Sequence, residues 1–326
     1  MSVTIKDISE HTGLAISTIS KYINGGNVLP ENQKKIQKAI DELKFCVNPF
    51  ARSMKTNKSY LIGVVVSSGG NYIYSLLLSL QRQFMAYGYC FIVEQCDNSV
   101  ESQDKATNFL LSKNIDALIF FNMKVKMNDY GLYRDKPIPV LTIGNKPENE
   151  KCDQIILDDY AAVDHVVRFL STTANRIAYL GGDQEKQKQK SRYNGYRNAL
   201  YTVKMELEEK YVSHGESTPE SGYRRMCELL KTDDRPHAVL IADSNLVVGA
   251  YIAIKEFNLK VPQDITIACF ENKEIPESCA DTMNLLVLPE EKICSFATKT
   301  LMNKINNNEE IFQSILIPFE LRIESE

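Results

Sequence analysis

Along the first sixty residues the apolar positions recur every three or four residues, the spacing of short amphipathic helices. Thr4, with Asp7 three positions on, predicts an N-cap with an acid at N3, opening a helix that carries Ile5 and Ile8 on one face and stops at Gly13. After Gly13-Leu14, residues Ile16 to Ile23 predict a second helix ending near Asn24-Gly25-Gly26. Ile19 and Ile23 lie one turn apart and would face the first helix, which leaves Ile16, Ser17, Ser20 and Lys21 facing outward. A third helix from about Pro30 sets Ile36, Ile40 and Leu43 at helical spacing, with Lys34, Lys35 and Lys38 on other faces. Three short helices with a tight glycine turn between the first two predict a helix-turn-helix, whose second helix can enter a DNA major groove by its N-terminal end.

From Tyr60 the pattern changes. Short apolar runs at Leu61–Val66, Phe91–Val93, Ala117–Phe121, Val140–Ile143 and Gln154–Leu157 read as strands, and amphipathic stretches around 72–87 and 101–113 as helices between them. Strands alternating with helices predict a parallel, helix-covered sheet. A second series follows Asp158, with strands at Ile177–Leu180, Ala238–Ile241 and Ile265–Phe270 and helices near 160–170, 191–203, 219–231 and 245–257. Two sheets in tandem are expected.

Bulk properties agree with a small module plus a two-lobed body: 326 residues at 44% apolar content exceed one ordinary core. The net charge of -4 conceals an asymmetry, because residues 1–58 hold nine Lys/Arg against five Asp/Glu and the remainder 29 against 37. A basic head on an acidic body suits nucleic-acid binding by one end, since Lys and Arg replace counterions on phosphate. Neither an export signal nor a stretch of about 18 apolar residues is present, so a cytoplasmic protein is expected, with no membrane partner. Eight cysteines are scattered singly, without metal-ligand spacing, and are expected to be buried free thiols; no metal or cofactor is expected. An enzyme would need a nucleotide loop or a convergent acid, base and nucleophile. No G-x-G-x-x-G or Walker pattern occurs, and His11, His165, His214 and His237 lie apart.

The run VTIKDISEHTGLAISTISKYING, then PENQKKIQKAIDELKF, then NPFARSMKTNKSYLIGVV resembles, in order and spacing, the head, third helix and hinge of the lactose/galactose repressor family of bacterial transcription regulators. The resemblance implies that Ile16, Ser17 and Lys21 read base edges and that Thr4, Thr18, Ser20 and Asn24 meet phosphate. The side chains suit those roles: Lys21 can donate to guanine O6/N7, Ser17 can donate or accept, and Ile16 can touch a thymine methyl. Ala15 stands where the family has a capping serine, which softens the helix start by about 1 kcal/mol. Residues 48–57 match the hinge, implied to become helical over the minor groove when two copies meet. Met54 would be the apolar wedge there, beside Asn48, Ala51 and Arg52.

The remainder resembles the family's periplasmic-binding-protein-like core, echoed by Asn175-Arg176-Ile177-Ala178, Arg192-x-x-Gly195-Tyr196, Gly249-Ala250 and Val261-Pro262-x-Asp264-Ile265. The implied fold is α/β: a helix-turn-helix domain over 1–47, a hinge over 48–59 and a dimerising, effector-sensing body over 60–326. The body's chain would cross between lobes near 158, 286 and 315, giving lobe 1 about 60–157 and 287–314 and lobe 2 about 158–286 and 315–326. Effectors of such bodies sit in the inter-lobe cleft at the C-terminal strand ends. Arg192 matches the arginine whose fork holds ligand hydroxyl or carboxylate groups. Five residues before Gly249 the usual aspartate is Ser244, with Asp243 displaced by one, and Gly144-Asn145 replaces a strand-end Asp-Arg. The first-lobe loop reads Gly70-Asn71-Tyr72-Ile73-Tyr74, leaving Tyr72, Tyr74 and Arg192 to bind something flat or anionic if not an ordinary sugar. The implied function is an operator-binding dimeric repressor controlled by a carbohydrate-like small molecule. The alternative is a catabolite-control regulator answering a corepressor or a phosphorylated carrier protein.

Overall fold

The computed structural model describes residues 3–23, 26–45, 56, 58–67, 71–97, 99–121, 138–144, 152–232, 234–271, 275–307 and 311–323, with Asn71 and Tyr72 by their backbone alone. The chain divides into two compact units, Met1–Tyr60 and Leu61–Glu326. Most of the segment expected as a hinge, including Asn48, Ala51, Arg52 and Met54, lies outside the described residues, as does Asn24.

In the first unit, α1 (Ile5–Thr12), α2 (Ile16–Ile23) and α3 (Pro30–Leu43) enclose a core of Ile8, Ile19, Val28, Ile36 and Ala39. The Asp7 carboxylate accepts from both the N–H and the hydroxyl of Thr4, each at 2.7 Å, closing the first turn of α1. Those two donors, the hydroxyl foremost, hold the Asp7 carboxyl below its ordinary range. Gly13 ends α1 with φ at 67°, a left-handed conformation that turns the chain into α2. Ile19 and Ile23 both pack into the core, as their spacing predicts.

The second unit holds two sheets. The first is built from β1 (Leu61–Ser67), β2 (Cys90–Cys96), β3 (Ala117–Phe121), β4 (Val140–Gly144), β5 (Asp153–Leu157) and β11 (Ser314–Ile317), in the order β11-β5-β4-β3-β1-β2, all parallel. The second contains β6 (Ile177–Leu180), β7 (Val212–Ser213), β8 (Ala238–Ile241), β9 (Thr266–Phe270), β10 (Asn284–Val287) and β12 (Glu320–Arg322), in the order β12-β10-β9-β8-β6-β7. β3, β6 and β8 are buried at every residue, because helices cover both faces of a parallel sheet. Those helices are α4 (Asn71–Met85) and α5 (Val100–Ser112) in the first lobe, then α6 (Asp159–Leu170), α7 (Gln187–Thr202), α8 (Pro219–Leu230) and α9 (Val247–Glu256) in the second. A short α10 (Glu277–Ala280) precedes α11 (Glu290–Asn307), which returns to the first lobe. There the Ser75 and Ser79 hydroxyls of α4 donate to Glu290 of α11.

The expected crossings near 158 and 286 coincide with the joins β5–α6 and β10–α11. The third differs. The stretch Ile315–Ile323, expected to finish wholly on the second lobe, splits: Ser314–Ile317 pairs with β5 in the first sheet, and Glu320–Arg322 alone reaches the second. Pro318 interrupts the apolar run, lacks an N–H for a ladder and fixes its own φ, so one continuous strand cannot form. The next residue, Phe319, packs edge-on against Phe270 at 5.0 Å and seats the crossing on the second lobe. β12 then runs antiparallel to β10, a departure from an all-parallel sheet that follows from re-entry without a crossover helix. β7, two residues long, is too short to show a period and was not expected. α7 begins at Gln187 rather than near 191, because its Lys/Gln-rich first turn carries no apolar signal.

Of the described cysteines, Cys96, Cys152, Cys269 and Cys294 are buried free thiols, Cys227 and Cys279 are half-buried, and Cys90 is exposed, which corrects the expectation of general burial. No helix among the described residues is long and apolar enough to cross a membrane.

Candidate nucleic-acid interface and inter-lobe site

On α2, Ile16 is 52% exposed although it is a large aliphatic residue, and Ser17 and Lys21 are exposed beside it. Thr18 and Ser20 are half-buried at the margins of that face. Among the described residues neither Lys21 nor the exposed Lys34 and Lys35 of α3 forms an ion pair, whereas Lys6 and Lys38 are matched to Glu10 and Glu42. Cations without an ion-pair partner can turn toward phosphate without first breaking a salt bridge. Thr4 differs from its neighbours, since its hydroxyl proton is already given to Asp7. A phosphate contact by that hydroxyl requires the bond to open.

In the second lobe, strand ends and one helix bring the expected effector residues together. Arg192 of α7 is 2% exposed and its guanidinium lies 3.2 Å from the centroid of the Phe270 ring, at the end of β9. Its Nε and Nη2 lie 2.6 Å from Asp159 Oδ1, and Nη1 donates to the Ala242 carbonyl at 2.5 Å. Three of five donors are thus committed, and the expected free fork is not present: a ligand could take at most the two remaining N–H groups. The structure spends Arg192 on joining α6, α7 and the ends of β8 and β9.

Asp243, two residues after β8, is the centre of a second group. Its Oδ2 accepts from Gln189 Nε2 and Ser217 Oγ, both at 2.8 Å, while Oδ1 accepts from the Asn245 N–H at 3.1 Å. The Gln189 carbonyl in turn accepts from the Gly182 N–H at 3.1 Å. A Cβ on Gly182 would stand 2.6 to 2.9 Å from Ser217 Oγ, Asp243 Oδ2 and Gln189 Nε2, so glycine is needed there for close approach. Buried Arg225 of α8 supports these ends, donating to the carbonyls of Gly181, Ser213 and Glu216. Ser244, half-buried, begins a 3-10 turn, Ser244–Leu246, that leads into α9.

Half-buried Lys188 lies one helical turn before Arg192. Burial, and then the Arg192 charge, push its ammonium down to about 8, against the opposing pull of Asp159 and Asp243. Tyr74 belongs to the other lobe, in the first turn of α4, and is 59% exposed on the same outward stripe as Leu78. The Tyr72 side chain and Asn145 lie outside the described residues. The structure therefore brings Arg192, Asp243 and Ser244 to one wall and leaves Tyr74 on another element.

With both sites placed, comparison with known proteins is informative. Residues 166–323 match the family model described as periplasmic binding protein-like domain. Catabolite control protein A of Staphylococcus xylosus is 26% identical over 98% of this chain and 98% of its own length. The transcriptional repressor PurR of Pectobacterium atrosepticum is 28% identical over 94% and 92%. A solved lac repressor dimer, bound to operator and an anti-inducer, superposes with TM-score 0.78 at 20% identity, covering 98% of each chain. The chain is thus similar over nearly its whole length to transcription regulators of the lactose/galactose repressor type.

Within this chain, the residues missed in the sequence are Asp159, Lys188, Gln189, Ser217 and Phe270. Only Lys188 and Gln189 carried a signal, lying one turn from Arg192 on what proved to be the same helix. The others come from distant segments and meet only through the sheet order.

The depressed Lys188 gives a pH test. Between about 8 and the ordinary 10.5 the unfolded chain binds more protons than the folded one, so stability rises with pH through that window. The wild-type chain is expected to gain stability relative to Lys188→Gln between about pH 7.5 and 9.5 in urea denaturation. Parallel profiles for the two proteins would show the ammonium to be fully solvated.

Proposed function

We infer that this chain is a sequence-specific DNA-binding transcription regulator, a repressor that binds a pseudo-palindromic operator as a homodimer and is controlled by a small molecule held in the inter-lobe cleft. The observation that carries it is the exposed α2 face of Ile16, Ser17 and Lys21 on a basic head, in a chain similar to the repressor PurR over nearly its whole length. Ile16, Ser17 and Lys21 are assigned to base edges and Thr4, Thr18, Ser20 and Asn24 to phosphate. Asn48, Ala51, Arg52 and Met54 are assigned to the minor groove. No catalytic step is assigned.

These roles separate by experiment. Lys21→Ala is expected to relax base preference at one operator position and to cost about 1 to 3 kcal/mol there, whereas Lys34→Ala weakens all duplexes alike. Both are read as affinities for a duplex enriched from a random pool and for an unselected one. Equal losses on the two duplexes for Lys21→Ala would sink the assignment.

Dimerisation through the body supplies the second half-site contact. The outward face of α4, where Leu78 and Met85 are exposed, offers apolar surface for it. Sedimentation at micromolar concentration is expected to show a dimer, and a monomer both with and without DNA would refute it.

For the effector we assign Asp243, Ser244, Arg192, Tyr72 and Tyr74, and add Gln189, Ser217 and Lys188. A cluster of hydroxyl, carboxamide and carboxylate fits a polyhydroxylated ligand, a sugar or sugar derivative, whose hydroxyls can replace the bonds Asp243 now accepts. One member of a panel of mono- and disaccharides and their phosphates is expected to raise the melting temperature, by about 2.7 kcal/mol of stability at a hundredfold excess over Kd. Asp243→Asn should abolish the shift; no response to any member would exclude this ligand class.

A further inference from the structure

We infer that Gly26 is a specificity-determining residue of the head: the space left by its missing side chain is the seat on which the aliphatic stem of Lys21 lies, and this seat aims the ammonium group. The inference rests on the assignment of Lys21 to base reading.

The Gly26 N–H donates to the Lys21 carbonyl at 2.8 Å, a six-residue closure of the Schellman kind that brings the chain back across the end of α2. A Cβ built on Gly26 would stand 2.6 Å from Lys21 Cγ, 2.9 Å from the Lys21 carbonyl oxygen and 3.4 Å from Lys21 Cε. The stem therefore runs along the glycine from Cγ to Cε. What glycine supplies here is room.

That room matters because Lys21 is the longest of the outward-facing side chains on α2. A free lysine loses rotamer entropy when held in one geometry. A stem already laid against Gly26 has surrendered part of that freedom before DNA arrives, and its ammonium samples fewer wrong positions. Discrimination between base pairs depends on that restriction, whereas attraction to phosphate depends only on the charge.

The test is a double-mutant cycle of wild type, Lys21→Ala, Gly26→Ala and the double variant in the full-length chain. Each binds a duplex enriched from a randomised pool by the wild type, its single-base-pair variants and an unselected duplex. Gly26→Ala is expected to lose about fivefold or more in discrimination at the same base pair as Lys21→Ala. Its affinity for the unselected duplex should stay within about twofold, and the double variant should match Lys21→Ala alone. Should Gly26→Ala by itself fail to fold, recovery of folding and unselected binding in the double variant equally identifies the lysine stem as what the methyl strikes. Wild-type discrimination in Gly26→Ala overturns the inference. So does a loss that falls equally on both duplexes and persists without Lys21, which would trace the clash to the backbone carbonyl. If Lys21→Ala itself changes no base preference, the assignment of Lys21 falls, and the seat with it.

Discussion

A guanidinium leaves water only when a carboxylate and further acceptors come with it, and in the second lobe that requirement ties the architecture together. Arg192 projects from α7. Its carboxylate, Asp159, opens α6 immediately after the first crossing between lobes, and its other acceptor is the carbonyl that ends β8. The ring of Phe270, at the end of β9, closes the remaining face. One side chain therefore sets the spacing of two helices and two strand ends. Removing one partner of such a buried pair costs about 3 to 5 kcal/mol, because the other is left charged and dry.

The polar group around Asp243 inherits its position from that frame. Gln189 lies three residues before Arg192 on α7, and Asp243 follows the residue whose carbonyl Arg192 holds. Arg225 adds support from the other side, donating to carbonyl acceptors rather than to a carboxylate as it braces the strand ends. The group is satisfied within itself, each oxygen of Asp243 already accepting. A ligand must exchange those bonds for equally good ones, which favours molecules with several hydroxyls and penalises those that leave a buried polar atom unpaired.

The head obeys a different economy. Five buried residues make a core too small to order the ends of three helices unaided, and local devices do that work: the Thr4–Asp7 exchange, the left-handed Gly13 and the closure from Gly26 to Lys21. Such devices act over six residues or fewer, so the outward face of α2 is set almost entirely by its immediate neighbours in sequence.

That difference explains how far each part could be read before the fold was known. The head's helices, their caps and the face presenting Ile16, Ser17 and Lys21 follow from periodicity, because every determinant is local. The alternation of strands and helices in the body is legible for the same reason, as are the first two crossings. The third was misplaced, since the apolar run Ile315–Ile323 hides a change of sheet that turns on Pro318 and on the packing of Phe319 against Phe270. Arg192 was recognisable as a residue of consequence, but its commitment to Asp159 was not. A buried charge chooses its partner by distance, and the side chains of Asp159, Ser217 and Phe270 that meet Arg192 or Asp243 lie 26 to 78 positions away along the chain. Only the order of the parallel strands brings their ends together.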